Sequence, residues 1–393
     1  MGQNSPAARG GINTDIEVLR GVAVAFVVLC HLPNGLLRQP GLIRSLVEPL
    51  DFWGGVDLFF AISGFVIASS LLRQPRSRRF REFAEPFYLR RIFRIWPAAL
   101  LWLLLPLLAS RYFNTSGAFG GTHVLLKDAA AASLQVANVY FALCHCGKEY
   151  VYWSLSLEEQ FYLVFPLLLF FVSGRRLRLA LLALILVQLF LYRPVESMLW
   201  MLRTDSIAAG VLIAMRRHQD STGRFSAAAV LRPESAQLLV LALLAGIAWT
   251  SITATTMANA GLLAILSGTC VWLASDDRNI VLPWSSLRRP LLWTGSRSFA
   301  IYLAHYPSMW AAREILHRLN LDVGLNEHSE PVLLIVALAL ILVTSEATYR
   351  LVETPLREMG RRLAARHRQD NRGAVPGTAV VISGITPAQS RPP

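Results

Sequence analysis

Stretches of about 20 consecutive apolar residues, the number a helix needs to cross a hydrocarbon layer of about 30 Å, recur along this chain and leave little room for another fold. They cover roughly 16–34, 52–72, 91–110, 155–173, 178–193, 197–215, 235–253, 257–274, 291–311 and 332–352. Inside a bilayer each backbone N–H and C=O must be satisfied within its own segment, so these runs read as helices. The expected fold is therefore all-α, a polytopic membrane bundle of about ten transmembrane helices. The 393-residue chain is 54% hydrophobic with a mean hydropathy of +0.44, which agrees. The polar start "MGQNSPAARGGINTD" runs into the first helix without a small-residue cleavage site, so that span is expected to stay in place.

Charge sets the sidedness. A net charge of +13 on a soluble chain would point to nucleic acid, but in a membrane protein Lys and Arg collect in cytoplasmic loops, and no nucleic-acid partner is expected. The run from Lys127 to Cys144 holds Ser133, Gln135 and Asn138, and reads either as an eleventh span or as a helix outside the membrane. Counting it as a span would move Arg175, Arg176 and Arg178 to the wrong face, so both termini are assigned to the cytoplasm and about 111–154 to an external segment. Residues 1–15 form a short inner tail, 16–356 the membrane domain and 357–393 a basic tail, without a core pattern and disordered from about 361. Cys30 and Cys270 read as small buried apolar residues. Cys144 and Cys146, flanking His145, could pair a metal or cycle in redox; one Cys-x-Cys with no second pair is a poor zinc signal, and no metal is expected.

Titratable groups at membrane depth cost a few kcal/mol each, so they face the bundle interior and mark a pathway or site. Arg20 and His31 are 11 residues apart, which at 100° per residue puts them within about 20° on one face and about 16 Å apart along the axis. Arg20 then lies near the cytoplasmic surface and His31 toward the outer half. Alone, Arg20 reads equally well as a snorkelling anchor. It has company in "LRRIFRIWP", with Arg90, Arg91 and Arg94, and in the preceding loop arginines Arg73, Arg76, Arg78, Arg79 and Arg81. Guanidinium groups at a cytoplasmic mouth suit a phosphorylated donor, because they bind phosphate oxygens as a fork. Toward the outer side lie Asp57 and the Ser63-Gly64 pair, Glu158 and Glu159, Arg203 and Asp205, and His305. Either histidine alone could be a packing hydrogen bond. Together with a carboxylate they form the usual apparatus for taking a proton from a hydroxyl. Glu346, Arg350 and Glu353 are spaced for an ion pair locking the end of the last span, the preferred reading there, with Arg297 and Arg350 as second-rank phosphate candidates.

Six segments in order, "EVLRGVAVAFVVLCH", "GGVDLFFAISGFVI", "LRRIFRIWP", "YWSLSLEEQFYLVFP", "RSFAIYLAHYP" and "TYRLVETPLR", resemble the acyltransferase 3 family of bacterial integral-membrane O-acyltransferases over about 15–357. The resemblance implies acyl-coenzyme A as donor substrate, acetyl by default, with no tightly bound cofactor. It implies a sugar hydroxyl as acceptor and the bacterial cytoplasmic membrane as location. It assigns Arg20, Arg91 and Arg94 to the donor, and His31, Glu158 and His305 to the active region. Only about 40 residues follow the last span, so no fused extracytoplasmic hydrolase-like domain is expected; transfer is direct or completed by a separate extracytoplasmic partner. On this reading Arg20 holds phosphates and His31 is general base or acyl relay. Asp57 or Glu158 orients an imidazole, and Arg203 or Ser63 steadies the oxyanion. The rival class is a transporter or flippase using the same buried charges for coupling. A third reading is an acyl carrier feeding a partner enzyme. The external segment is the expected place for acceptor choice.

Overall fold

The computed structural model describes residues 13–36, 52–75, 79–148, 151–194, 196–252, 259–321 and 330–373, and within these there is no strand. The start of the N-terminal tail, Arg76, Arg78 and the chain beyond 373 lie outside the described residues. The helices are α1 (Thr14–Gly35), α2 (Gly55–Leu72), α3 (Phe80–Tyr112), α4 (Thr122–Ser133), α5 (Ala137–Cys144), α6 (Tyr152–Phe171), α7 (Gly174–Phe190), α8 (Met198–Met201), α9 (Asp205–Gln219), α10 (Pro233–Ile252), α11 (Asn259–Ala274), α12 (Ser285–Ser296), α13 (Ser298–Arg318), α14 (Glu330–Thr348) and α15 (Thr354–Gly373). A π-turn, Tyr349–Glu353, joins α14 to α15.

Every expected apolar run carries a helix, and seven of the described helical segments are long and apolar enough to cross a membrane. The runs at 178–193 and 257–274 carry shorter helices, of 17 and 16 residues, and two runs are interrupted. The run at 197–215 breaks at Leu202–Thr204 between α8 and α9, and the run at 291–311 breaks at Arg297 between α12 and α13. α3 begins at Phe80, eleven residues before the apolar run, so much of the expected basic loop is helical. α4 and α5, of 12 and 8 residues, are about 18 and 12 Å long and too short to cross.

The expected disorder from about 361 meets a helix instead, since α15 continues to Gly373. Its packing face is made of small residues, Gly360 and Ala364, rather than the large apolar ones a core pattern would show. That face lies on α3, where a Cβ on Gly360 would fall 2.6 Å from Phe93 Cβ. Glu85 of α3 and His367 of α15 also meet, at 3.0 Å.

Two helix pairs approach with backbone against backbone. A Cβ on Gly64 would lie 2.1 Å from the Ile207 carbonyl oxygen, and one on Gly210 would lie 2.0 Å from that of Ala61, which joins α2 to α9. Gly21 and Gly295 do the same for α1 and α12, against the carbonyls of Leu291 and Glu17 at 2.3 and 2.0 Å. Small residues at such crossings let membrane helices gain dispersion energy where no hydrophobic drive exists between them. The start of α1 is pinned as well. Asn13 caps it by accepting from Ile16 N–H at 2.8 Å, and buried Asp15 accepts from Arg288 at 2.9 Å and Ile280 N–H at 3.1 Å. These contacts fix the height and azimuth of Arg20 and His31 on the same helix.

Between α3 and α6 the chain is tied down by Glu314 near the end of α13. Its carboxylate accepts from Thr115 N–H at 2.8 Å, Thr115 Oγ at 2.6 Å, Ser116 N–H at 2.8 Å and Ser116 Oγ at 2.6 Å. Cys144 and Cys146 form a disulfide with each other, which removes the thiols from any metal site.

Candidate active site

His31 on α1 and His305 on α13 are 274 positions apart in the chain and touch, with Nδ1 of His31 2.9 Å from Nε2 of His305. The rings stack with centroids 5.0 Å apart, and Tyr306 lies over His31 at 4.6 Å. The hydrogen-bond network assigns the protons. His305 Nδ1 is 2.7 Å from the Tyr302 carbonyl and 3.3 Å from that of Ile301, and since carbonyls only accept, Nδ1 carries the hydrogen. In a neutral pair, His305 Nε2 then accepts and His31 Nδ1–H donates to it. This leaves the lone pair of His31 on Nε2. The expected carboxylate partner of an imidazole is replaced by a second imidazole backed by a peptide carbonyl.

The carboxylates lie elsewhere. Glu158 on α6 accepts from Ser63 Oγ at 2.8 Å and from the Tyr162 hydroxyl at 2.8 Å. The Arg91 guanidinium stands over the Tyr162 ring, 5.0 Å from its centroid. Ser63 has its hydroxyl hydrogen on Glu158 and is not an open oxyanion donor. Asp57 pairs with Arg203 at 3.3 Å and accepts from Ser206 at 3.2 Å, so the sequence reading that it orients an imidazole is corrected. Arg203 is likewise no oxyanion donor. It is 1% exposed and enclosed by the rings of Trp200, Trp153 and Trp53, with centroids 3.9, 4.8 and 5.2 Å from its guanidinium carbon. It fills the break between α8 and α9, where cation–π attraction stands in for water. Asp205 at the start of α9 is held by Arg193 through two contacts of 3.2 and 2.7 Å. One sequence level of converging charges thus resolves into an imidazole pair, a Glu158 cluster and an Arg203 post.

The donor-side candidates meet at an opening. A cavity of about 120 Å³ is lined by Arg20, Arg91, Arg94, Ser63, Glu158 and Tyr302 among others. It shares Arg20, Arg94 and Val66 with a wider vestibule of about 590 Å³ at the end of the bundle where α1 begins. Arg20 pairs with Glu17 at 3.3 Å, one helical turn away. Neither imidazole lines the cavity. Tyr302 separates them from it: its side chain lines the cavity, its hydroxyl meets Ser154 Oγ at 2.5 Å and Val151 O at 3.0 Å, and its carbonyl holds His305.

Arg297 and Arg350 do not line the vestibule. Both bind Glu346, Arg297 through Nε at 2.5 Å and Nη2 at 3.2 Å, and Arg350 through Nε. Arg297 is also stacked on Tyr349, 4.4 Å from the ring centroid. The local ion pair therefore takes in Arg350 but not Glu353, which lines the vestibule. The sequence reading missed Tyr162 and Tyr302, aromatic residues indistinguishable by pattern from membrane-helix packing. It also passed over Arg217, which lines the vestibule, and Arg193, which carried no sign of its partner Asp205.

A sequence profile described as an acyltransferase domain matches residues 13–349, which takes in the imidazole pair, the Glu158 cluster and Arg20, Arg91 and Arg94, and ends just before Arg350 and Glu353. The chain belongs to the acyltransferase 3 family. It is a multi-pass membrane protein, and its matched region contains the arginine opening and the imidazole pair in one acyltransferase domain. Curated relatives of this chain include the peptidoglycan O-acetyltransferase OatA of Listeria monocytogenes, 26% identical over 88% of the chain and 56% of the relative. The putative peptidoglycan O-acetyltransferase YrhL of Bacillus subtilis is 26% identical over 89% of the chain and 56% of the relative. The O-acetyltransferase OatA of Staphylococcus aureus is 24% identical over 88% of the chain and 57% of the relative. The chain spans a little over half the length of these relatives. No solved structure matches it.

Proposed function

We propose that this acyltransferase moves an acyl group, acetyl in the first instance, from acyl-coenzyme A at the cytoplasmic face of a bacterial inner membrane to a glycan hydroxyl on or beyond the outer half of the bilayer. The observation that carries the reading is the series along one axis. An arginine vestibule opens into a narrow cavity, and the cavity ends at Tyr302, whose carbonyl fixes the imidazole pair. Arg20, Arg91 and Arg94 take the donor's phosphate oxygens, and the cavity takes its thin thioester arm. The acceptor oxygen attacks the thioester carbon, the C–O bond forms and the C–S bond breaks. Nε2 of His31 takes the hydroxyl proton and returns it to the thiolate. His305 holds the resulting imidazolium through Nδ1–H of His31.

The curated relatives are named for O-acetylation, two of them of peptidoglycan, which supports a cell-wall or surface glycan as acceptor. A separate extracytoplasmic partner completing the transfer fits the same geometry. The test is incubation of the chain in nanodiscs with radiolabelled acetyl-coenzyme A, alone and with glycan, following thioester loss and free thiol. Turnover by wild type that disappears in Arg20→Ala and His31→Ala is the expected result. Absence of binding and turnover with any acyl-coenzyme A would refute the reading and favour a transporter that uses the buried charges for coupling.

A further inference from the structure

The vestibule has more positive charge than one phosphate group needs, and the charge lies at two depths. At the throat, where vestibule and cavity meet, stand Arg20 and Arg94. At the rim stand Arg73, the C-cap residue of α2, and Arg357, in the first turn of α15. A further cation nearby, Arg217, is already engaged by Asp276. Among the described residues neither Arg73 nor Arg357 forms an ion pair within 4 Å, and the nearest acid to Arg357 in the vestibule is Glu353, four residues away on the same face. Arg357 instead leans on the Tyr349 ring at 5.8 Å.

The π-turn is what brings Arg357 inward. Tyr349, Glu353 and Arg357 follow one another at four-residue steps and line the vestibule together, while Arg350 is turned outward onto Glu346. One extra residue in the turn rotates everything after it by about 100°, so a regular α-helix through 349–353 would present a different face to the opening. Such turns disturb the helix ladder and are frequent at functional sites.

We infer that Arg73 and Arg357 form a second anion subsite at the vestibule rim, which takes the ribose 3′-phosphate of coenzyme A, while the throat arginines take the diphosphate. The inference rests on the acyl-coenzyme A reading above. A donor with a single phosphate group would need one anion site. A throat site, a rim site and a narrow cavity beyond fit a long donor whose phosphates occur at two separate places on its nucleotide end. The vestibule volume of about 590 Å³ lies within the range of ligand pockets, about 300–1,000 Å³.

The test compares coenzyme A with 3′-dephospho-coenzyme A as ligands of the full chain in nanodiscs, by calorimetric titration, for wild type, Arg73→Gln, Arg357→Gln and Arg357→Lys. Wild type is expected to prefer coenzyme A by about tenfold, the value of one charge-assisted hydrogen bond. Either Gln variant removes the preference yet binds the dephospho form within about twofold of wild type, and Arg357→Lys keeps part of it. Equal binding of the two ligands by wild type, or equal loss of both in the Gln variants, overturns the rim subsite and leaves the donor reading standing. Wild type that binds neither ligand overturns both.

Discussion

Replacing His305 by alanine tests the direction of the imidazole pair. On the proposed mechanism His31 is the base and His305 the residue that holds it, because His305 Nδ1 is committed to the Tyr302 carbonyl and its Nε2 to His31. His31→Ala removes the proton acceptor itself and should cost about 10²–10⁴ in kcat. His305→Ala removes only the acceptor of His31 Nδ1–H, at a site where His305 is fully buried. A buried donor left unsatisfied costs about 1–3 kcal/mol, which, if borne in the transition state, slows the reaction by about 5- to 150-fold. His305→Gln, whose amide oxygen accepts a hydrogen bond, should recover part of that loss. The assay is thiol release from acetyl-coenzyme A by the full chain in nanodiscs, with kcat and KM resolved and folding checked by gel filtration. His305→Ala as slow as or slower than His31→Ala would reverse the assignment. Wild-type rates in His305→Ala would reduce the contact to helix packing.

Three further outcomes follow from the packing. Gly210→Ala puts a methyl group 2.0 Å from the Ala61 carbonyl oxygen and should cost about 1–3 kcal/mol, or more if α2 and α9 cannot part, read as a lowered Tm in detergent. Arg203→Ala strands Asp57 in a buried site and should destabilise by about 3–5 kcal/mol, whereas Arg203→Met with Asp57→Asn should recover much of the loss; equal Tm values for the two variants would argue against charge as the cause. Glu314 governs the acid response beyond the apolar run of α13. Burial alone would raise its pKa, but the Ser116 and Thr115 hydroxyls, Arg318 and the Ser116 N–H outweigh burial and hold the carboxyl well below its usual range. A depressed folded value means that its contribution is fully present above the unfolded pKa of about 4.3 and is lost as pH falls below it toward the folded value. Glu314→Gln should therefore be less stable at neutral pH and lose less stability on acidification, and hydrogen exchange at 113–120 reports both effects.

The helix positions were legible because hydropathy marks where a chain crosses lipid, whatever it packs against. The breaks at Leu202–Thr204 and Arg297 were not: the first carries no Gly or Pro and the second only Gly295, which reads equally as a close helix crossing; each is stabilised from outside, by Trp rings around Arg203 and by Glu346 and Tyr349 around Arg297. The shared depth of His31 and His305 could be read from residue counting, but their contact depends on the azimuth of two helices 274 positions apart. Asp57 shows the same limit: its depth was readable, yet its partner Arg203 is placed by the helix break. α15 escaped detection because its packing face uses Gly360 and Ala364, which are too small to register as a core pattern.

The glycine crossings bear on how a donor gets in. With backbone against backbone at Gly21, Gly64, Gly210 and Gly295, there is no side chain between α1 and α12 or between α2 and α9 that could rotate aside, so each pair moves as one slab. The facing wall is built differently. α3 carries Arg91 and Arg94 between Pro86 and Pro97, and each proline leaves a gap in the helix ladder where the axis can bend. Widening of the arginine throat therefore falls to α3, a jointed lever swinging against a rigid plate, with Arg91 and Arg94 on the part that moves and Arg20 on the plate.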